Sequence, residues 1–294
     1  MSRDPVLQTT LLRQLVTHLP GKFDDDERKQ HGHTKRVDVY GMCVMFSFYV
    51  WISWRCGTEV PQEIPQVPQV PCVICQAFGT IIALYNFYVE FYILPRGTKD
   101  AEDDFYVTYG PFGRWVYLTH QTIGILAIHS IVSVFSPYWS RRLASGTYAA
   151  TPIVGANGIF VTVQYFNLVY PQSEHKQICR LWAQRGIRFG FIDSMRHALP
   201  MLVVVLDVLA KQRATVPFAM PSAYGIIRVN VLYAFLFVCL THLNYSITGY
   251  WQYSFMKTLG QNPKKWAAFI AVQGSILSAC GLSVSLLSRL VSFW

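Results

Sequence analysis

Apolar residues in this chain fall into long blocks separated by short polar stretches. Seven blocks are readable: A, Val37 to Trp54; B, Cys72 to Leu94; C, Trp115 to Phe135; D, Thr151 to Tyr170; E, Phe189 to Ala210; F, Tyr224 to about Ser246; and G, Trp266 to about Val291. A helix needs about 17–25 apolar residues to cross a bilayer. Blocks B to G meet this, and A sits at its short end. Pro95-Arg96-Gly97, Pro137 and Pro171 stop B, C and D. Tyr and Trp gather at block ends (Trp115, Tyr138, Trp139, Tyr170, Tyr250, Trp251, Trp266, Trp294), where interfacial anchors belong. The pattern predicts an all-α polytopic transmembrane bundle of six spans, with the crossing of A left open.

Three regions follow. Residues 1–36 are a polar tail in which Leu7, Leu11, Leu12, Leu15, Val16 and Leu19 recur at helical spacing up to Pro20-Gly21. Residues 37–71 hold A and a linker whose Val-Pro-Gln repetition favours extended polyproline II. Residues 72–294 form the six-span domain.

Composition agrees with a membrane protein: 52% of the 294 residues are hydrophobic and 14% charged, against about 25% charged in soluble domains. The net charge of +9 sits in loops and tails, so it signals topology and not nucleic-acid binding. If A crosses, the tail and loops B–C, D–E and F–G share one side and carry seventeen Lys and Arg, against six opposite. If A does not cross, the division is thirteen to ten. Cys43, Cys75, Cys239 and Cys280 lie in or beside apolar blocks as small hydrophobes, and Cys72-x-x-Cys75 has no second ligand pair. No metal or other cofactor is expected. Asp24-Asp-Asp-Glu27 in the tail is foreign to a cleavable leader.

Ionisable and polar groups inside spans are costly, and so are candidates for function. Blocks C, E and F hold Thr119, His120, His129, Asp193, His197, Asp207, His242 and Asn244. Two crossings separate the start of C from the start of E, so both starts face the same side. Thr119 and His197 then lie within roughly 6–12 Å of the same surface, at 1.5 Å per residue. A Thr hydroxyl beside an imidazole has the parts for nucleophilic catalysis. Asp193, four residues before His197, either orients the ring or pairs with Arg196. Loop F–G reaches the same side and offers Tyr250 and Trp251, with Asn244 just before it, as substrate or oxyanion contacts. Glu90, near the end of B, reads as a carboxylate at interface depth with no required function.

Other functions fit less well. Haem ligation by His120, His129, His197 and His242 needs facing histidines. His120 and His129 lie on opposite faces of one helix and are not expected to face one core. Transporters built on repeats carry paired broken helices, which this chain lacks. A non-catalytic lipid-binding or regulatory membrane protein is the alternative that stands.

Four short motifs then resemble, in order, those of the androgen-induced-protein family, small polytopic membrane proteins some of which hydrolyse fatty acid esters of hydroxy fatty acids. Gly113-Arg-Trp-Val-Tyr-Leu-Thr119 is similar to its G-x-W-K-Y-L-T. Asn167-Leu-Val-Tyr-Pro171 is similar to the stretch ending I-Y-P, and Phe191 to Pro200 falls where the family has a span-entrance histidine. Thr248-Gly-Tyr-Trp-Gln-Tyr-Ser-Phe255 is similar to T-G-x-W-x-Y-P-F, followed by Leu259-Gly-Gln-Asn-Pro263. The resemblance covers blocks B to G, as a divergent, fungal-type member. It implies Thr119 and His197 as the catalytic pair, a lipid ester as substrate, membrane lipids as surroundings, and an endomembrane such as the endoplasmic reticulum. The chain departs from animal members in its shorter His197-to-Pro200 spacing, in Tyr245-Ser246 where they have two histidines, in Ser254 for Pro, and in its N-terminal 70 residues. Animal members keep both termini cytosolic.

Overall fold

The computed structural model describes residues 26–56, 70–93, 112–184, 188–211, 216–248, 251–253 and 255–291. The leucine pattern of the tail, the Val-Pro-Gln linker and Tyr250 lie outside them. Helix α1 is Asp26–Cys56, α2 is Val70–Tyr88, α3 is Leu118–Trp139, α4 is Arg141–Gln164 and α5 is Ser173–Gln184. Then come α6, Phe189–Ala210, the short α7, Val216–Ala219, α8, Ala223–Thr248, the short α9, Met256–Leu259, and α10, Pro263–Val291. A 3-10 turn, Gly113–Val116, precedes α3, and π-turns extend α2 (Val89–Ile93) and α4 (Tyr165–Val169). No strand occurs among the described residues. Six helices are long and apolar enough to cross a membrane, so the chain is an all-α multi-pass bundle.

The antiparallel pair α3 and α4 forms the centre. α2 and α1 pack on α3; α1, α6 and α10 pack on α4; α2 lies on α6 and α8 on α10. Membrane helices associate without a hydrophobic drive, so small residues that let backbones approach take its place. From Ser145 to Gly158 every residue of α4 is buried, and most are Gly, Ala, Ser or Thr. A Cβ on Gly158 would come within 2.7 Å of Val204 Cγ2 and 3.0 Å of the Pro200 carbonyl oxygen. Glycine there sets how closely α4 meets α6.

Two boundaries differ from expectation. Block D starts ten residues earlier, at Arg141, leaving Ser140 alone between α3 and α4. The polar run that reads as a loop satisfies itself within the helix: Thr147 Oγ1 donates to the Ala144 carbonyl (2.8 Å) and Thr151 Oγ1 to the Thr147 carbonyl (3.0 Å). Arg142 covers the Trp54 ring at 3.9 Å. Pro137 stands inside the last turn of α3, and Ser136 Oγ donates to the Ser133 carbonyl that proline leaves without its helical donor (3.3 Å).

Block A belongs to a longer helix that begins at Asp26, inside the stretch read as tail. Its apolar part, Val39–Trp54, is shorter than the six spans. It is still built into the bundle, with Tyr49 and Ile52 fully buried. α1 follows α3 in the same direction: Gly41 lies against Trp115, Tyr49 reaches His129, and Ser53 lies against Gly146.

Candidate active site

Thr119 stands in the first turn of α3 and His197 in the third turn of α6. Their side chains meet: Thr119 Oγ1 is 3.1 Å from His197 Nε2. The other ring nitrogen, Nδ1, lies 2.7 Å from the main-chain carbonyl oxygen of Asp193. A carbonyl only accepts, so Nδ1 carries the hydrogen and Nε2 presents its lone pair to the Thr119 hydroxyl. That is the arrangement of a nucleophile with its general base.

Local sequence explains the placement. Pro200 has no N–H, so the Arg196 carbonyl loses its helical donor, and Asn86 Nδ2 of α2 donates to it instead (3.1 Å). The His197 carbonyl receives Thr162 Oγ1 of α4 (2.6 Å). α6 is thus tied to two neighbours at the turn that bears His197. The Tyr165 ring lies flat on the imidazole, 3.7 Å between centroids and 3° between planes.

Of the two roles open to Asp193, its carboxylate takes the pairing with Arg196, and its backbone carbonyl the ring of His197. Asp193 holds the ring through its backbone, while Oδ1 is 3.6 Å from Nδ1. The carboxylate serves Arg196 Nε (2.6 Å) and the Tyr165 hydroxyl (2.7 Å). Glu90, read as a carboxylate at interface depth, is enclosed by protein. It is buried at 5% exposure, accepts from Arg196 Nη1 (2.7 Å), and its Oε1 lies 3.1 Å from His120 Nδ1. Arg196 therefore links two carboxylates behind the Thr–His pair. Glu90 and Tyr165 both sit in π-turns, which re-aim side chains and recur at functional sites. The sequence signal for Glu90 is the rule that selected Thr119: only the B–C loop separates the end of B from the start of C, so both share a side.

α5, unforeseen in loop D–E, brings His175 to the rear of this network. Its Nε2 is 3.2 Å from the Tyr165 hydroxyl and 3.4 Å from Cys179 Sγ. Burial, then the nearby Asp193 charge, pushes the Cys179 thiol up, which keeps it protonated.

The other loop candidates fall elsewhere. Trp251 stacks on Tyr245 (4.0 Å, 11°) and meets Trp266 and the edge of His242, forming an aromatic cap over α8 and α10. Asn244 is buried on α8. Among the described residues, neither bonds to Thr119 or His197. What the F–G stretch does bring is Tyr253, whose hydroxyl oxygen accepts the Leu118 N–H at 3.0 Å, one residue from Thr119.

His120 and His129 are each 1% exposed, against the expectation that both could not face the core. α3 is enclosed on all sides, so opposite faces both look inward: His120 to Glu90, His129 to Asp207 Oδ2 (2.9 Å) and Tyr49 (3.1 Å). His129 belongs to a second network, ten residues further along both α3 and α6 than the Thr–His pair. There Asp207 also takes Lys211 Nζ (3.0 Å) and shares the Thr151 hydroxyl hydrogen (3.1 Å) with the Thr147 carbonyl, and Lys211 donates to Ser133 Oγ (3.2 Å). The four span histidines thus serve separate neighbours. No group of three or more His, Cys, Asp and Glu among the described residues is arranged to hold a metal ion. No protein-family model, curated protein or solved structure matches the chain.

Proposed function

We propose that the protein is an integral-membrane threonine hydrolase of lipid esters, of the class of fatty acid esters of hydroxy fatty acids. The observation that carries this reading is the 3.1 Å contact between Thr119 Oγ1 and His197 Nε2, with Nδ1 held by a carbonyl. The resemblance of four ordered motifs to the androgen-induced-protein family supports it, since its implied pair is the pair in contact. An endomembrane such as the endoplasmic reticulum is the location that goes with this reading.

Thr119 Oγ attacks the acyl carbonyl carbon while His197 Nε2 takes the hydroxyl proton. The carbonyl π pair moves onto oxygen. On collapse the C=O bond reforms, the ester C–O bond breaks, and the departing alkoxide takes the proton from Nε2. Water then attacks the threonyl ester by the same route, its proton passing to Nε2 and on to the leaving Thr119 oxygen. Thr119 is half-buried in the first turn of α3. This shallow position lets a lipid ester approach from the membrane and water from the interface.

The test is labelling of purified protein with a fluorophosphonate, alongside hydrolysis of a long-chain fluorogenic ester. Wild type should label and turn over. Thr119→Ala and His197→Ala should lose turnover by at least about 10³-fold, and the Thr119 variant should lose the label. Equal labelling in both variants, or none in wild type, sinks the mechanism.

A further inference from the structure

We infer that the Tyr253 hydroxyl is the oxyanion donor of this site; the inference rests on the hydrolase reading. Acyl transfer places negative charge on the former carbonyl oxygen, and a pre-set donor at that point is among the strongest sources of rate acceleration in such chemistry. The donor must stand beside the nucleophile without being its base.

The Tyr253 hydroxyl is fixed at Leu118, one residue from the nucleophile along the chain. Its oxygen accepts the N–H of Leu118, the first helical residue of α3 and the chain neighbour of Thr119. The N-cap residue Tyr117 gives α3 no side-chain cap, so Tyr253 supplies that function from the F–G stretch. With one lone pair engaged by Leu118, the phenolic hydrogen points away from that N–H. Among the described residues no acceptor takes it. A hydroxyl that accepts from a backbone N–H is also polarised into a stronger donor. The ring is held edge-on to Tyr117 (5.7 Å) and stacked on Phe255 (5.5 Å), which fixes where the hydroxyl lies. Burial holds the phenol above its usual range, so the proton stays on oxygen. The N-terminal end of the α3 dipole adds positive potential where the oxyanion forms.

The step balances without a further reagent. The phenolic hydrogen bonds to the oxyanion as the Thr119 oxygen–carbon bond forms, and it remains on Tyr253 throughout. The proton that moves is that of Thr119, to His197.

The experiment uses full-length protein in nanodiscs with 4-methylumbelliferyl oleate. Tyr253→Phe should lower kcat by about 10²-fold while KM changes little. Replacement of Tyr253 by 3-fluorotyrosine and 3,5-difluorotyrosine keeps both the ring and the acceptor for Leu118, and kcat should change in step with phenol acidity. A purely capping hydroxyl would not give that dependence. If Tyr253→Phe turns over like wild type, the inference is overturned and the hydrolase reading survives. If Tyr253→Phe is impaired but the fluorotyrosine proteins match wild type, Tyr253 only caps α3 and the inference is again overturned. If wild type neither labels with fluorophosphonate nor turns over, the hydrolase reading falls and takes this inference with it.

Discussion

At Asp193 the group that helps His197 is a backbone carbonyl, not a carboxylate. The i,i+4 spacing that made Asp193 a candidate brings both its side chain and its carbonyl near the ring, and spacing alone cannot choose between them. The choice is made by Arg196 and Tyr165, which claim the carboxylate at 2.6 and 2.7 Å. A consequence separates this site from a Ser-His-Asp triad, where loss of the carboxylate costs about 10⁴-fold. Here Asp193→Asn leaves the Nδ1 acceptor in place, so kcat should fall by no more than about tenfold. Stability should fall by about 1–3 kcal/mol, because Arg196 trades an ionised partner for a neutral one. Steady-state kinetics and a thermal melt in the same detergent read both quantities, and a kcat loss near that of His197→Ala would show that the carboxylate does orient the ring. Thr119 and His197 were legible because membrane side and depth follow from counting crossings. Tyr253 was legible only as a motif position, because nothing in a tyrosine's sequence context says which helix end its hydroxyl will cap.

At the scale of elements, blocks B, C and E to G were legible to within a few residues because lipid demands long apolar runs. The start of α4 was not, since its serines and threonines look solvated while bonding to their own helix. The device that shapes the site is Pro200, one turn past His197. It frees the Arg196 carbonyl for Asn86 and lies where α4 meets α6 at Gly158. Interior proline costs a helix about 3 kcal/mol, which the borrowed donor from α2 offsets in part. Pro200→Ala restores the helical N–H and removes the need for Asn86. The variant should melt no lower than wild type yet lose at least about tenfold in kcat, as the turn bearing His197 is released from Asn86 and the ring shifts from Thr119. Undiminished turnover in a folded Pro200→Ala protein would show that Pro200 does not set the Thr–His geometry.

At the scale of the whole molecule, the open matter in the sequence was the first apolar block, and α1 now bears on it. Contacts of α1 run from Gly41 against Trp115, through Tyr49 with His129, to Trp54 beneath Arg142, from one end of α3 to the start of α4. A helix that keeps company with α3 over that length is expected to cross with it. Its apolar stretch, at 1.5 Å per residue, spans about 24 Å against a hydrocarbon core of about 30 Å, a mismatch that local thinning accommodates at modest cost. With α1 crossing, the residues before it share a side with the Thr–His pair, and that side carries seventeen Lys and Arg against six. The positive-inside rule then predicts a site that faces the cytosol. A glycosylation acceptor inserted among residues 94–111, or before Asp26, should stay unmodified, and one appended after Val291 should be glycosylated. The animal proteins that the motifs resemble, with both termini cytosolic, set the contrary expectation. Modification of neither end, or of both, would mean that α1 lies in the bundle without crossing the bilayer.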